Sequence, residues 1–446
     1  MVTATIGKIF LEAYNKKNHT DYDAKTFFVK VYHPLFFDSS KYLQWVQNSP
    51  FVQMKKEQKV DTLTPSERKE KLQIFITKVD NCKIPDASIA PGFPASEEKE
   101  FATTSGQVTN LELSVEKSDI LLSWIGSSLG IGLQGGLSIL FSEPEILMDL
   151  FEGWKLYRKI LKGNDKLKGN QVNTWNGQWL AHYYDNRNYY PEQPMVGFSP
   201  FETNNDSMSV ATQSWTKVLI GISRKYNNPK MMGYVYNLGQ TNTTIGFIPF
   251  SLEHIRRPIQ FYARLFGADE GKKAEDLWGT EKAFRACCQK GAVGIEAMQP
   301  KGLKQYMKPD NGKDVRLPKY DDRQIINFHT YQIWLLAMLN NEELWIKSKE
   351  IAKTLQDYVN KDKKLSTKRG NLVKNVLAST SKKTFLSTLS EIASDIESFA
   401  IIDENAKIIH MMPTDNVPYY LTLIRFHYAG LSNKSNQLTL SCEIKK

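Results

Sequence analysis

Apolar residues in the last third of the chain recur at helical intervals, and this periodicity constrains the fold more than any other stretch. Ile326, Ile333 and Ala337 share one helical face, Leu344, Ile351, Leu355 and Tyr358 another, and Phe385, Leu389, Ile392, Ile396 and Phe399 repeat at near-heptad spacing. Each stripe must be buried against a neighbour. Asn340-Asn341, residues 361–369 and Met411-Met412-Pro413 interrupt the pattern, and helices with such short connections predict an antiparallel bundle over residues 316–446. The turn-rich Pro309-Asp310-Asn311-Gly312 stands before it as a linker.

The upstream residues read differently. Residues 6–46 carry a mixed helical pattern, expected as short helices around an aromatic loop at 32–38. Thr64 and Glu67 have the spacing of a capping box, and Ser142-Glu143-Pro144-Glu145 predicts a helix starting at Ser142. Residues 84–107 hold three prolines among small and acidic residues, the composition of a loop or inserted lobe. Residues 170–258 are dense in Trp, Tyr, Asn, Gln and Thr, with β-type runs at 232–236 and 244–250, and predict a sheet with polar loops. The expected class is α+β: a large mixed α/β N-terminal body over 1–315 followed by the helical bundle.

At 446 residues, 41% hydrophobic and 24% charged, the chain has the composition of a globular protein of two or three domains. Cys82, Cys287, Cys288 and Cys442 lack CxxC spacing, which points to a reducing, cytoplasmic setting. No apolar run reaches membrane-spanning length, and no signal peptide is read at the N-terminus, so no membrane partner is expected. The seven histidines are scattered without HxxxH or cysteine partners, GxSxG is absent, and no paired carboxylates resemble a nuclease core. The expectation is a protein without enzymatic activity, metal or cofactor.

Gly130-Ile131-Gly132-Leu133-Gln134-Gly135 formally matches the dinucleotide fingerprint, in which glycines open a helix beneath a pyrophosphate. Here they lead into Leu137-Ser138-Ile139-Leu140-Phe141, a strand pattern. The alternatives are a nucleotide-dependent enzyme using this loop, tight packing inside the body, or a backbone surface approached closely by another molecule.

Charge supplies a further clue. Residues 347–383 hold eleven basic side chains against three acidic ones, a local +8 within the formal +10 of the whole chain. A polyanion is one partner for such a stretch, and a solvated lysine face is the other reading. Gln240-Thr241-Asn242-Thr243-Thr244, between the two β-type runs and before Arg256-Arg257 at an expected helix end, holds side chains able to read base edges and grip phosphate. Trp175, Trp179, Tyr183, Tyr184, Tyr189 and Tyr190 could stack bases or fill a core. A structural interaction protein with no nucleic-acid role remains an alternative.

Three segments together resemble the large subunit of type I CRISPR interference complexes (Cascade), nearest the I-B-like branch. They are residues 24–28 running to 34–38 and 41–51, Ser123-Trp124-Ile125-Gly126 through Gly135-Gly136, and residues 239–250. The resemblance implies a non-catalytic subunit of an antiviral, RNA-guided surveillance complex. Its body would recognise the protospacer-adjacent motif (PAM) in duplex DNA and help separate the strands. Its bundle would contact target or displaced strand and stabilise the R-loop, while cleavage belongs to a recruited helicase-nuclease. Guide RNA and the other Cascade subunits are the implied partners. On that reading Gln134, Gly135, Gly136, Gln240, Asn242 and Thr243 form the PAM and wedge region, and Arg256, Arg257, Lys347, Lys353, Lys368, Arg369 and Lys374 hold DNA backbone.

Overall fold

The computed structural model describes residues 2–46, 49–56, 58–82, 116–185, 187–237, 243–307, 315–396 and 399–432. The expected lobe at 84–107 and the linker at 309–312 lie outside them. The fold is α+β with a helical C-terminal part, and the chain divides into two compact units: Met1–Leu252 with Cys288–Ala292, and Glu253–Cys287 with Val293–Lys446. The expected boundary after residue 315 thus falls within the second unit, because segments before it already pack on the helices that follow; the Trp334 indole, for example, donates to the Ile295 carbonyl at 2.9 Å.

The first unit opens with α1 (Val2–Asn18), a single long helix where shorter ones were expected, then α2 (Ala24–Phe27), one π-helical turn (Phe28–Tyr32) and α3 (His33–Phe36). The aromatic stretch expected as a loop is therefore helical through Phe36. The reason is spacing: Tyr32 and Phe36, four residues apart, stack at 4.1 Å and are both fully buried. The capping box of α4 (Pro65–Asn81) forms, with Glu67 accepting from the Thr64 amide at 2.7 Å. α5 (Lys117–Ser128) crosses α1 backbone to backbone: a Cβ on Gly7 would stand 2.0 Å from the Leu122 carbonyl oxygen, and one on Gly126 1.8 Å from that of Thr3.

Next come β1 (Ile131–Gly132), β2 (Leu137–Phe141) and α6 (Pro144–Gly163). α6 starts two residues beyond Ser142, which does not cap it; Pro144 takes the first helical position, where its fixed φ and missing N–H cost nothing. α7 (Val172–Tyr183), β3 (Phe201–Asn204), β4 (Ser207–Val210), α8 (Trp215–Lys225), β5 (Lys230–Asn237) and β6 (Thr243–Ser251) complete the unit. The segment expected as a sheet with polar loops thus holds as much helix as strand, because its Trp and Tyr residues follow a 3.6-residue spacing on α7. β1, β2, β5 and β6 form one antiparallel sheet in that order, and β3 and β4 pair separately.

Three buried cations hold the irregular chain after α3 in place. Arg158 donates to the carbonyls of Leu35 (2.6 Å), Phe36 (3.2 Å) and Lys41 (2.7 Å). Arg68 reaches those of Ser39 (2.6 Å) and Val60 (2.8 Å), and Lys71 that of Pro50 (3.2 Å). A stretch without regular structure cannot satisfy its own carbonyls, and these side chains do it instead.

The second unit contains α9 (Leu252–Phe266), α10 (Ala268–Ala274), α11 (Glu281–Gln289), α12 (Ile325–Leu339), α13 (Glu343–Asn360), α14 (Ser366–Ala378), α15 (Lys382–Ala393), α16 (Phe399–Met411) and α17 (Val417–Leu431). α12 stops at Asn340, which adopts the left-handed conformation at φ 52°. α13 and α12 both pack on α17, and α14, α15 and α16 follow one against the next. The periodic residues Ile333, Ala337, Ile351, Leu355, Phe385, Leu389 and Ile392 are buried as expected, whereas Ile326 and Ile396 are half-buried and Phe399, at the end of its stripe, is exposed.

Candidate nucleic-acid interface

The glycine run of residues 130–136 has two jobs. Gly130 and Gly132 are packing residues: a Cβ on Gly130 would lie 2.3 Å from the Tyr236 hydroxyl, and one on Gly132 2.9 Å from the Asn173 backbone. Asn173 and Asn176 meanwhile both donate to the Gly130 carbonyl, at 3.0 and 2.8 Å. Gly135 and Gly136 turn the chain between β1 and β2 at φ 82° and 73°, a backbone that favours glycine, and with Gln134 they are exposed. The Gln134 amide is fixed to the Gln213 carbonyl at 2.9 Å, which aligns the turn without using the side chain. Behind the last glycine stands β2, and the next helix begins only at Pro144, so the geometry of a dinucleotide loop does not form here.

Sheet register ties this turn to the second predicted loop. Leu137 pairs with Asn237, and Asn237 with Thr243. The Gln134–Gly136 turn and the ends of the strands bracketing residues 238–242 therefore lie at one end of the sheet. Gln240 and Asn242 themselves fall outside the described residues, as does the side chain of Thr243. On the outward face of β5 and β6, Met232, Tyr234 and Phe247 add an apolar strip: Phe247 is 62% exposed, and its ring lies 5.1 Å from that of Tyr234. Sequence reading passed over this strip, although the alternation along residues 244–250 carried the signal.

The aromatic cluster of residues 175–190 is mainly core. Trp175, Trp179 and Tyr184 are buried, and the two indoles donate to the carbonyls of Gly153 (2.9 Å) and Asp149 (2.8 Å). Only Tyr190 among the six is an exposed large side chain. Arg256 and Arg257 lie inside α9 and not at a helix end, and Arg257 is mostly covered, paired with Glu253 at 3.3 Å.

The basic stretch also separates by role. Arg369 is buried, bonded to Asp395 at 2.9 Å and placed over the Tyr358 ring at 4.8 Å, so it serves the helix packing. Lys347 sits between Glu404 at 3.0 Å and Glu350 at 3.3 Å, whose carboxylates raise its pKa. Lys353, Lys368 and Lys374 are exposed on α13 and α14. Among the described residues no group of three or more His, Cys, Asp or Glu is placed to hold a metal, and no helix is long and apolar enough to cross a membrane. No family model, curated protein or solved structure matches the chain.

Proposed function

We propose that this chain is a DNA-binding, non-catalytic large subunit of a type I CRISPR surveillance complex, sensing the PAM in duplex DNA and helping to open it. The observation that carries this reading is the convergence of an exposed, glycine-built turn bearing Gln134 with the strand ends around residues 238–242 at one end of the sheet. Gly135 and Gly136 place no side chain between backbone and an approaching duplex, Gln134 carries both a donor and an acceptor for a base edge, and Tyr234 and Phe247 present ring surface nearby. The exposed Lys353, Lys368 and Lys374 of the second unit supply sequence-independent grip on a strand backbone, in support of the R-loop. Guide RNA, the other Cascade subunits and a recruited helicase-nuclease are the partners, in the cytoplasm.

The test is reconstitution of the full chain with guide RNA and candidate partner subunits, followed by binding to duplexes randomised beside the protospacer. Enrichment of a short motif is the expected result. Gln134→Ala should then weaken binding to the enriched duplex about tenfold, the ~1–3 kcal/mol of one bidentate base contact, and leave motif-free duplex almost unchanged. Equal loss on both duplexes refutes the reader role, and failure of the chain to enter the complex refutes its membership.

A further inference from the structure

The second unit holds a partly open cavity of about 230 Å³ lined by α9, α10, α12, α13 and α17. Its walls are aromatic. The His329 ring lies flat on Phe266 at 3.6 Å, Trp345 meets His427 edge-on at 4.6 Å, and Phe328 and Phe426 close another side at 4.9 Å. Polar atoms interrupt these walls, and they are unfinished. Among the described residues His427 Nε2, His329 Nδ1 and Glu270 Oε2 have no hydrogen-bond partner, and the last two are 3.6 Å apart, beyond bonding reach. The Gln332 amide nitrogen lies 3.3 Å from His427 Nδ1, so Nδ1 accepts and Nε2 carries the proton as a donor. Burial holds both imidazoles neutral, His427 down to about 3 and His329 to about 4, with Lys349 also depressing the first. Gly430 helps keep the space open without being required by packing, since a Cβ there would meet nothing nearer than the Phe328 ring at 3.9 Å.

An unpaired imidazole donor and an unpaired carboxylate oxygen, Glu270 Oε2, in one aromatic chamber call for a ligand that answers both. A cavity of ~150 Å³ takes benzene, so one about half as large again takes a fused two-ring aromatic. We infer that this cavity is a binding site for a planar bicyclic heteroaromatic of the oxopurine class. Its carbonyl or ring nitrogen accepts from His427 Nε2, its ring N–H donates to Glu270, and its faces lie against the aromatic walls. This site is independent of the sheet end proposed to meet DNA.

The experiment is titration of the full chain with hypoxanthine and with indole, a ring pair of similar size that lacks the carbonyl, by calorimetry and saturation-transfer NMR. Hypoxanthine should bind at least tenfold more tightly than indole. His427→Phe should erase that preference, and Gly430→Leu, which fills the chamber without a backbone clash, should reduce binding of both at least tenfold with helical content unchanged. Inosine monophosphate binding as well as hypoxanthine would assign the base to a nucleotide, and its exclusion to the free base. No binding of either ring system at millimolar concentration, equal affinity for the two, or hypoxanthine binding that survives both substitutions would overturn the assignment and leave the chamber to water.

Discussion

The two units finish their buried charged and imidazole side chains differently, although among the described residues Thr3 and Ser49 leave buried hydroxyls unpaired in the first unit too. In the first unit Arg158, Arg68 and Lys71 spend their donors on carbonyls of the chain between Leu35 and Val60, and the result is a fixed loop. In the second, Arg425 does the same for the carbonyls of Leu377 (3.0 Å), Ser379 (3.2 Å) and Tyr306 (3.3 Å), yet a few ring positions away His427, His329 and Glu270 end in an open chamber. Completed buried polarity builds architecture. Incomplete buried polarity is a cost of roughly 1–3 kcal/mol per group, and a ligand is the ordinary way to recover it.

The largest effect expected from this contrast is on Arg158. Arg158→Met keeps the aliphatic stem but takes a donor from three carbonyls, of which Phe36's still has the Leu43 amide at 3.1 Å, and should destabilise the first unit by about 3–5 kcal/mol. Urea melts of wild type and variant measure it. A change under ~1 kcal/mol would mean that water replaces the guanidinium and that the loop does not depend on it. Burial draws the Arg158 pKa down to about 10, so it remains charged at neutral pH and the comparison holds there.

Acid should separate the units next. His33 in the first unit, and His329 and His427 in the second, are all held below the ordinary imidazole value, to about 4, about 4 and about 3, by burial above all. Because the folded values lie below the unfolded ~6.5, the unfolded chain takes up the proton first; stability is complete above ~6.5 and declines as pH falls toward the folded values. The cost is on the order of 3 kcal/mol for each imidazole. His182 in the first unit is lowered by burial as well, but by less; with two large shifts against one, the second unit should unfold first between pH 6.5 and pH 4. Denaturant melts followed by hydrogen exchange at steps across that range would show it, and first loss of protection in α1–α8 would contradict it.

How far the sequence carried each of these features depends on the range of the interaction. The helical stripes, the Thr64–Glu67 capping box and the strand after the glycines were legible, because each is set within a few residues. Helix through Tyr32–Phe36 was missed because Pro34 and a run of rings read as a loop, while the decisive term is burial of those rings against Trp124 and Trp154. The aromatic spacing of α7 hid inside polar composition in the same way. At the proposed interface, the exposed turn at Gln134–Gly136 was visible as glycines, but the pairing of Leu137 with Asn237 and Asn237 with Thr243 is long-range and has no local signal. The cavity was invisible for that reason too: its histidines are 98 residues apart in the chain.

The smallest expected effect on stability is also the sharpest on binding, and it concerns the local positive charge of residues 347–383. Lys353, Lys368 and Lys374 are exposed, whereas Arg369 within the same run is buried against Asp395 and Tyr358. Replacing the three lysines by Gln should therefore move stability by no more than about 0.5 kcal/mol, while Arg369→Gln removes a buried guanidinium from its packing on Tyr358 and its bond to the exposed Asp395, and costs more. For DNA the order reverses. If the lysines neutralise phosphates, the slope of log K against log salt should fall by roughly 0.9 for each one removed, and Arg369→Gln should leave the slope where it was. Titration of a duplex and a single strand at several salt concentrations reads both numbers. A slope untouched by the triple substitution would make residues 347–383 a soluble surface and place any DNA contact of this chain in the first unit alone.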